Sequence, residues 1–149
     1  MLCNQTIQQL HDEYQHLDEE PYRKALAATR DLDLKVHRQS LPDACSGYIW
    51  RVAGEWCVVL NQDHPLCRQT FSLAHEVGHF LLHHPRGGMM SSADTSKLER
   101  EANAFAAEFL MPRRLMQRLC EWGLSAEDMA TRLGLSLDAV TIRLDALGL

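Results

Sequence analysis

Long apolar runs are missing from this sequence, and none approaches the length of a membrane-spanning helix. The stretch from Met1 to Gln15 is mostly polar and lacks the basic-then-apolar order of a secretory signal, so a cytoplasmic protein without a membrane partner is expected. Patterned cysteine is missing too. The chain has 5 cysteines (Cys3, Cys45, Cys57, Cys67 and Cys120), an odd number with no C-x-x-C pair. A disulfide framework is therefore not expected, and neither is a zinc role for Cys57 or Cys67. A basic excess is absent: 15 Lys and Arg stand against 20 Asp and Glu, for a formal net charge of −5. That balance points to no polyanionic partner. Repeats and low-complexity tracts are lacking. What remains is 149 residues at 46% hydrophobic content, enough for one domain with its own core.

Within this chain His75-Glu76-Val77-Gly78-His79 reads H-E-x-x-H inside an apolar, helix-like run from Phe71 to Leu82. Two histidines four apart on a helix differ by about 40° around its axis, so both rings reach the same point. Glu76 stands beside them, where it can handle a proton. That geometry suits a zinc ion with a neighbouring general base. The competing reading is two histidines satisfied by backbone carbonyls. It is disfavoured because Leu73, Ala74, Val77, Phe80 and Leu81 imply burial, and buried imidazoles and carboxylates need partners.

A third ligand is needed. Downstream, Ser96-Lys97-Leu98-Glu99-Arg100-Glu101-Ala102-Asn103 is again helical in pattern. Glu99 has Asn103 one turn on, where its amide can hold a ligand histidine. Yet Ser96-x-x-Glu99 is also a capping box, in which Glu99 would bond the Ser96 backbone N–H instead. Glu101 is the alternative ligand, with Phe105 one turn on. The residues alone leave Glu99, Glu101 and other groups open.

Elsewhere, Asn4 to Glu20 reads as a polar helix with Ile7, Leu10, Tyr14 and Leu17 on one stripe, interrupted by Pro21 and continued from Tyr22 to Thr29. Its acids Asp12, Glu13, Asp18, Glu19 and Glu20 read as a solvated face. Gly47–Val52 and Trp56–Leu60 read as two strands about a turn at Ala53-Gly54-Glu55. A helix starts near Pro65, with Asp63 as its cap, and ends before Pro85. Arg86 to Thr95 reads as a loop. A helix from about Lys97 ends at Met111, and Pro112 starts another. Two shorter helices begin near Ser125 and Ser136 and resemble a helix-turn-helix. From Arg113 to Leu149 five arginines balance five acids, so nucleic-acid binding is not expected, and packing on the core or protein docking is the better reading.

Three blocks carry a resemblance to a known family: Arg68 to His84, Glu99 to Pro112, and Leu135 to Gly148. In that order they resemble the ImmA/IrrE metallopeptidases, over roughly residues 47–149. The resemblance implies a gluzincin-like site with Glu99 as third ligand and Asn103 behind it. It also implies cleavage of helix-turn-helix repressors, which switches on stress-response or mobile-element genes. Longer relatives carry a further sensor-like domain, and regulation by one is not expected here. The segment from Met1 to Ala44 matches the family loosely.

The expectation is therefore an α+β fold: a mainly helical, zincin-like core with a small sheet and a C-terminal helix-turn-helix-like segment. It would form one metallopeptidase domain over 1–149, made of an N-terminal helical segment (1–44), the sheet and zinc helices (45–112) and the C-terminal helices (113–149). His75, His79 and Glu99 would hold Zn²⁺, and Glu76 would act as the base on a protein substrate. Tyr48, His83, His84 or a loop N–H would stabilise the oxyanion, although His83 and His84 also read as helix-end residues. Two other classes compete: a repressor-binding module with a structural metal, and a DNA-binding regulator using the C-terminal helices.

Overall fold

Residues 4–83 and 92–149 are described by the computed structural model. In chain order they form α1 (Asn4–Glu13), a 3₁₀ turn (Gln15–Leu17), α2 (Pro21–Asp31), β1 (Leu34–Gln39), β2 (Gly47–Val52), β3 (Glu55–Asn61), α3 (Leu66–Leu81), α4 (Ser92–Leu110), α5 (Arg113–Glu121), α6 (Ala126–Leu133) and α7 (Leu137–Leu147). This is the α+β architecture expected, with a small sheet against a larger helical body. None of the described helices is long and apolar enough to cross a membrane.

The sheet has the order β1-β3-β2, with β1 parallel and β2 antiparallel to β3. Side chains alternate across a strand. Leu34, Ile49, Val58 and Leu60 thus share one face and join the hydrophobic core with α2 and α3. On that face the Trp56 ring meets Phe80 of α3 edge-on, 5.8 Å between centroids. The β2–β3 hairpin turns on Ala53 and Gly54, with φ of 50° and 82°. Two positive-φ residues give the twist that tight hairpins need, and glycine takes that conformation without a Cβ clash.

The first strand was not foreseen. Leu34-Lys35-Val36-His37-Arg38-Gln39 alternates only weakly, because Arg38 occupies an inward register position opposite Leu60. Its Nε donates to Gln69 Oε1 on α3 at 3.1 Å. β1 therefore places a strand within the segment read as purely helical.

Asn61, fully buried at the end of β3, organises the connection that crosses from β1 to β2. Its amide nitrogen lies 3.2, 3.3 and 3.0 Å from the carbonyls of Leu41, Pro42 and Cys45. Its oxygen accepts from Asp63 N at 3.0 Å. Asp63 is thus part of a turn and not the cap of α3, which begins behind Pro65 with no side-chain cap. The loop so held, residues 44–47, reaches the candidate site.

Along α4 the buried residues Ala102, Phe105, Ala106 and Phe109 recur at helical spacing and face α3, whose Leu73, Ala74 and Val77 are fully buried. Each such aliphatic side chain removed from water stabilises by about 1.5–3 kcal/mol. Gly78 lets the two helices approach closely: a Cβ there would stand 2.9 Å from Phe105 Cδ1 and 3.3 Å from the Ala102 carbonyl oxygen.

One acid is not solvated as expected. Asp18 is buried, because the 3₁₀ turn directs it inward between α2 and α5. Lys24 Nζ donates to it at 2.8 Å and to the Phe109 carbonyl at 2.7 Å. Arg114 grips both its oxygens at 2.7 and 3.2 Å. Burial pushes the Asp18 carboxyl up, but the hydrogen bonds and charges of Arg114 and Lys24 outweigh it and hold it below its usual value.

The two C-terminal helices start behind Ser125 and Ser136, as the sequence indicates. Each hydroxyl accepts a backbone N–H, from Asp128 and Ala139 respectively, at 3.1 Å.

Candidate metal centre

The H-E-x-x-H run occupies the second half of α3. Four residues apart, His75 and His79 present their rings side by side, with centroids 4.6 Å apart and Nε2 atoms 3.0 Å apart. Glu99 comes from α4. Its Oε2 lies 3.0 Å from His75 Nε2 and its Oε1 2.9 Å from His79 Nε2. Three lone-pair-bearing groups thus converge on one point.

Asn103, one turn beyond Glu99, has its Oδ1 2.7 Å from His75 Nδ1. An amide oxygen only accepts, so Nδ1 carries the proton and Nε2 is left with a lone pair. That is the tautomer a metal ligand needs, and the outer partner fixes the ring's orientation.

These residues fit a metal ion. Ligands at about 2.0–2.1 Å around a tetrahedral ion stand about 3.3 Å apart, slightly wider than the contacts seen. His75, His79 and Glu99 form the candidate metal-holding group among the described residues. Glu101 lies apart from it and meets Lys97, 3.9 Å away. The capping-box alternative fails for a local reason: α4 starts at Ser92, earlier than the expected Lys97, so Ser96 sits inside the helix and caps nothing.

A cleft of about 450 Å³ opens onto the cluster. It is walled by Glu76, His75, Glu99 and Asn103 on one side and by the Ala44–Gly47 loop on the other. Glu76 is 7% exposed, and the two histidine side chains are 15% and 11% exposed, whereas Glu99 is half-exposed, so the cluster is closed below and open above.

The model of the IrrE N-terminal-like domain, a peptidase family, matches residues 29–145. The chain belongs to the ImmA/IrrE family of metallopeptidases. No curated protein matches closely enough to be counted a relative. The match begins before β1 and so takes in a strand that the three sequence blocks did not reach.

Of the residues singled out from sequence, His75, Glu76, His79, Glu99 and Asn103 come together in this ImmA/IrrE protein. Tyr48 does not join them. It stands on the sheet face turned away from α3, edge-on to Trp50 at 6.2 Å, because its neighbour Ile49 points to the core. His83 lies just past the end of α3, exposed and with φ of 53°, as a helix-end residue. His84 lies outside the described residues. The sequence reading missed the Ala44–Gly47 wall, which carries no motif. It also missed Phe71 and Ser72, whose spacing one turn before His75 does put them on the site's face.

Proposed function

We propose that this protein is a zinc-dependent endopeptidase, with His75, His79 and Glu99 as metal ligands, Asn103 orienting His75 and Glu76 as general base. The observation that carries this reading is the meeting of two imidazoles and one carboxylate within 3.0 Å, at the mouth of a cleft that Glu76 also lines. Two nitrogen ligands, one carboxylate and an open side suit zinc better than manganese or iron. Bound there, zinc would supply Lewis acidity and bring the pKa of water down to about 7.

The chain's own groups do the rest. Glu76 takes a proton from the water that attacks the scissile carbonyl and returns it to the leaving amine. β2 is an edge of the sheet and begins at Gly47 on the cleft wall, so an extended substrate segment can add alongside it. Tyr48 and His83 do not line the cleft, and among the described residues we assign the oxyanion donor to a backbone N–H of the Ala44–Gly47 loop, which does. A purely structural metal has no use for Glu76 and usually closes its fourth position with protein.

The family implies a protein substrate. We read it as a helix-turn-helix repressor in the cytoplasm, whose cleavage would derepress stress-response or mobile-element genes. The shared hydrophobic core supports reading the chain as one catalytic domain. Metal content measured beside activity tests the assignment. Wild type should bind one zinc and lose cleavage on chelation, Glu76→Gln should keep zinc and lose cleavage, and Glu99→Ala should lose zinc. Loss of zinc in Glu101→Ala with retention in Glu99→Ala would overturn the ligand set.

A further inference from the structure

A second, larger opening of about 880 Å³ lies between α4 and α7. Ala107 of α4 and Met111 just beyond its end line one side, and Ala139, Ile142 and Ala146 of α7 line the other. Three of these five are alanines, so the helices face each other across a space that their side chains do not fill. Ile142 is 69% exposed, more than any other large apolar side chain among the described residues. Exposed apolar surface of this kind, bordered by polar groups, marks binding surfaces. Here the border is Arg68 and Arg143 against Glu108. Arg143 is held in place by its Nε, which donates to the Met111 carbonyl at 2.9 Å.

The occupant is indicated by where the groove leads. Ser46, Phe71, Ser72 and Asn103 line both this groove and the cleft over His75 and Glu99. The two spaces are therefore neighbours, with polar groups around the candidate metal site and apolar ones along α7. A small ligand is usually gripped by a few converging polar groups on an enclosed wall. This groove runs open beside a candidate scissile site and carries its polar groups at the rim. Its volume accommodates several aliphatic side chains.

We infer that the groove between α4 and α7 holds an apolar-faced stretch of the polypeptide substrate and presents the adjoining bond to the metal centre, with Ile142 and Ala139 setting the preference for aliphatic residues. This rests on the peptidase reading above. It assigns the helix that resembles a DNA-recognition helix to gripping a protein chain.

The test uses a short fluorescein-labelled amphipathic peptide of leucine, glutamate and lysine, with a control of equal composition whose leucines fall on no single face. Fluorescence anisotropy with metal-free protein reads binding without cleavage. The amphipathic peptide should bind and the control should not. Ile142→Asp and Ala146→Glu, both at exposed positions and so harmless to folding, should each weaken binding about tenfold, the loss expected when an aliphatic contact is no longer buried. Trp122→Asp, at an exposed position behind α5 that lines neither the groove nor the cleft, should leave it unchanged. In parallel, zinc-loaded protein is incubated with a peptide library made from a digested proteome. Cuts should be enriched in Leu, Ile, Val and Met on one flank, and Ile142→Asp should erase that enrichment. Cleavage with no apolar bias, or binding indifferent to Ile142→Asp, overturns the inference and leaves the peptidase standing. Absence of any cleavage by zinc-loaded protein overturns the peptidase reading and this inference with it. Self-association that Ile142→Asp abolishes would make a second copy the occupant and also overturn it.

Discussion

Replacing Gly78 by alanine isolates the role of helix contact in building the metal centre. The added methyl would stand 2.9 Å from Phe105 Cδ1, about 0.6 Å short of ordinary carbon contact. The Phe105 ring has little room to recede: it stacks on Phe109 at 5.6 Å with 12° between planes, and His11 closes the other side at 6.2 Å. Overpacking of this kind costs about 1–3 kcal/mol. Removing a helix-interior glycine returns about 0.8–1 kcal/mol. The net expectation is a loss of about 1 kcal/mol, read as a lower urea midpoint. The larger effect is at the site. If α4 moves away to relieve the clash, Glu99 moves with it, and metal sites tolerate ligand errors of only about 0.2 Å. Zinc affinity, measured by competition with a chromophoric chelator, should fall about 10–100-fold, as when an outer partner is lost. A compensating Phe105→Leu change in the same chain should restore most of it. A Gly78→Ala protein of equal or greater stability with unchanged zinc affinity would refute the claim that this contact sets the ligand spacing.

Asn103→Ala should reduce zinc affinity about 10–100-fold while shifting stability by no more than about 0.5 kcal/mol, as measured by chelator competition and urea unfolding. Lys24→Met strands Asp18 in the core beside Arg114 alone, and should cost about 3–5 kcal/mol in the same unfolding experiment. Because the folded Asp18 carboxyl titrates below its usual range, its contribution is complete above about pH 4 and is lost as pH falls through the folded value. Urea midpoints should therefore drop on acidification below about pH 4, and Asp18→Asn should flatten that dependence while lowering stability at neutral pH. Ala53→Asn relieves a positive-φ alanine with a residue that tolerates it, and should raise the urea midpoint by the equivalent of about 1 kcal/mol.

How much of this was readable beforehand varies with the kind of interaction. The candidate ligands on α3 were legible because two histidines and a glutamate in five residues leave one helical geometry. Glu99 was legible only with the family's second block, since Ser96-x-x-Glu99 satisfies a capping box equally well; the early start of α4 at Ser92 decides against the cap. The C-terminal helices were marked by Ser125 and Ser136, whose caps depend on local sequence alone. Long-range features were hidden. Asp18 looks like any surface acid until Arg114, nearly a hundred positions away, folds onto it. β1 lacks the strict alternation of a half-buried strand because Arg38 faces inward toward Gln69. Tyr48 reads from sequence as one of several candidate oxyanion donors, but strand parity turns it outward once Ile49 enters the core. The Ala44–Gly47 wall depends on Asn61, a residue no motif distinguishes.

The placement of β3 between β1 and β2 bears on how the chain is made. During synthesis β1 and β2 emerge first, and in the finished sheet they do not touch. Their common neighbour is the last of the three to leave the ribosome, so the nascent chain has no native strand pairing until β3 emerges, and the sheet is complete only when Asn61 is out. The same residue then gathers the carbonyls of the preceding loop. Sheet assembly and the shaping of the cleft wall thereby become a single late event, and a stall in translation before β3 would leave β1 and β2 with unpaired edges exposed to other chains.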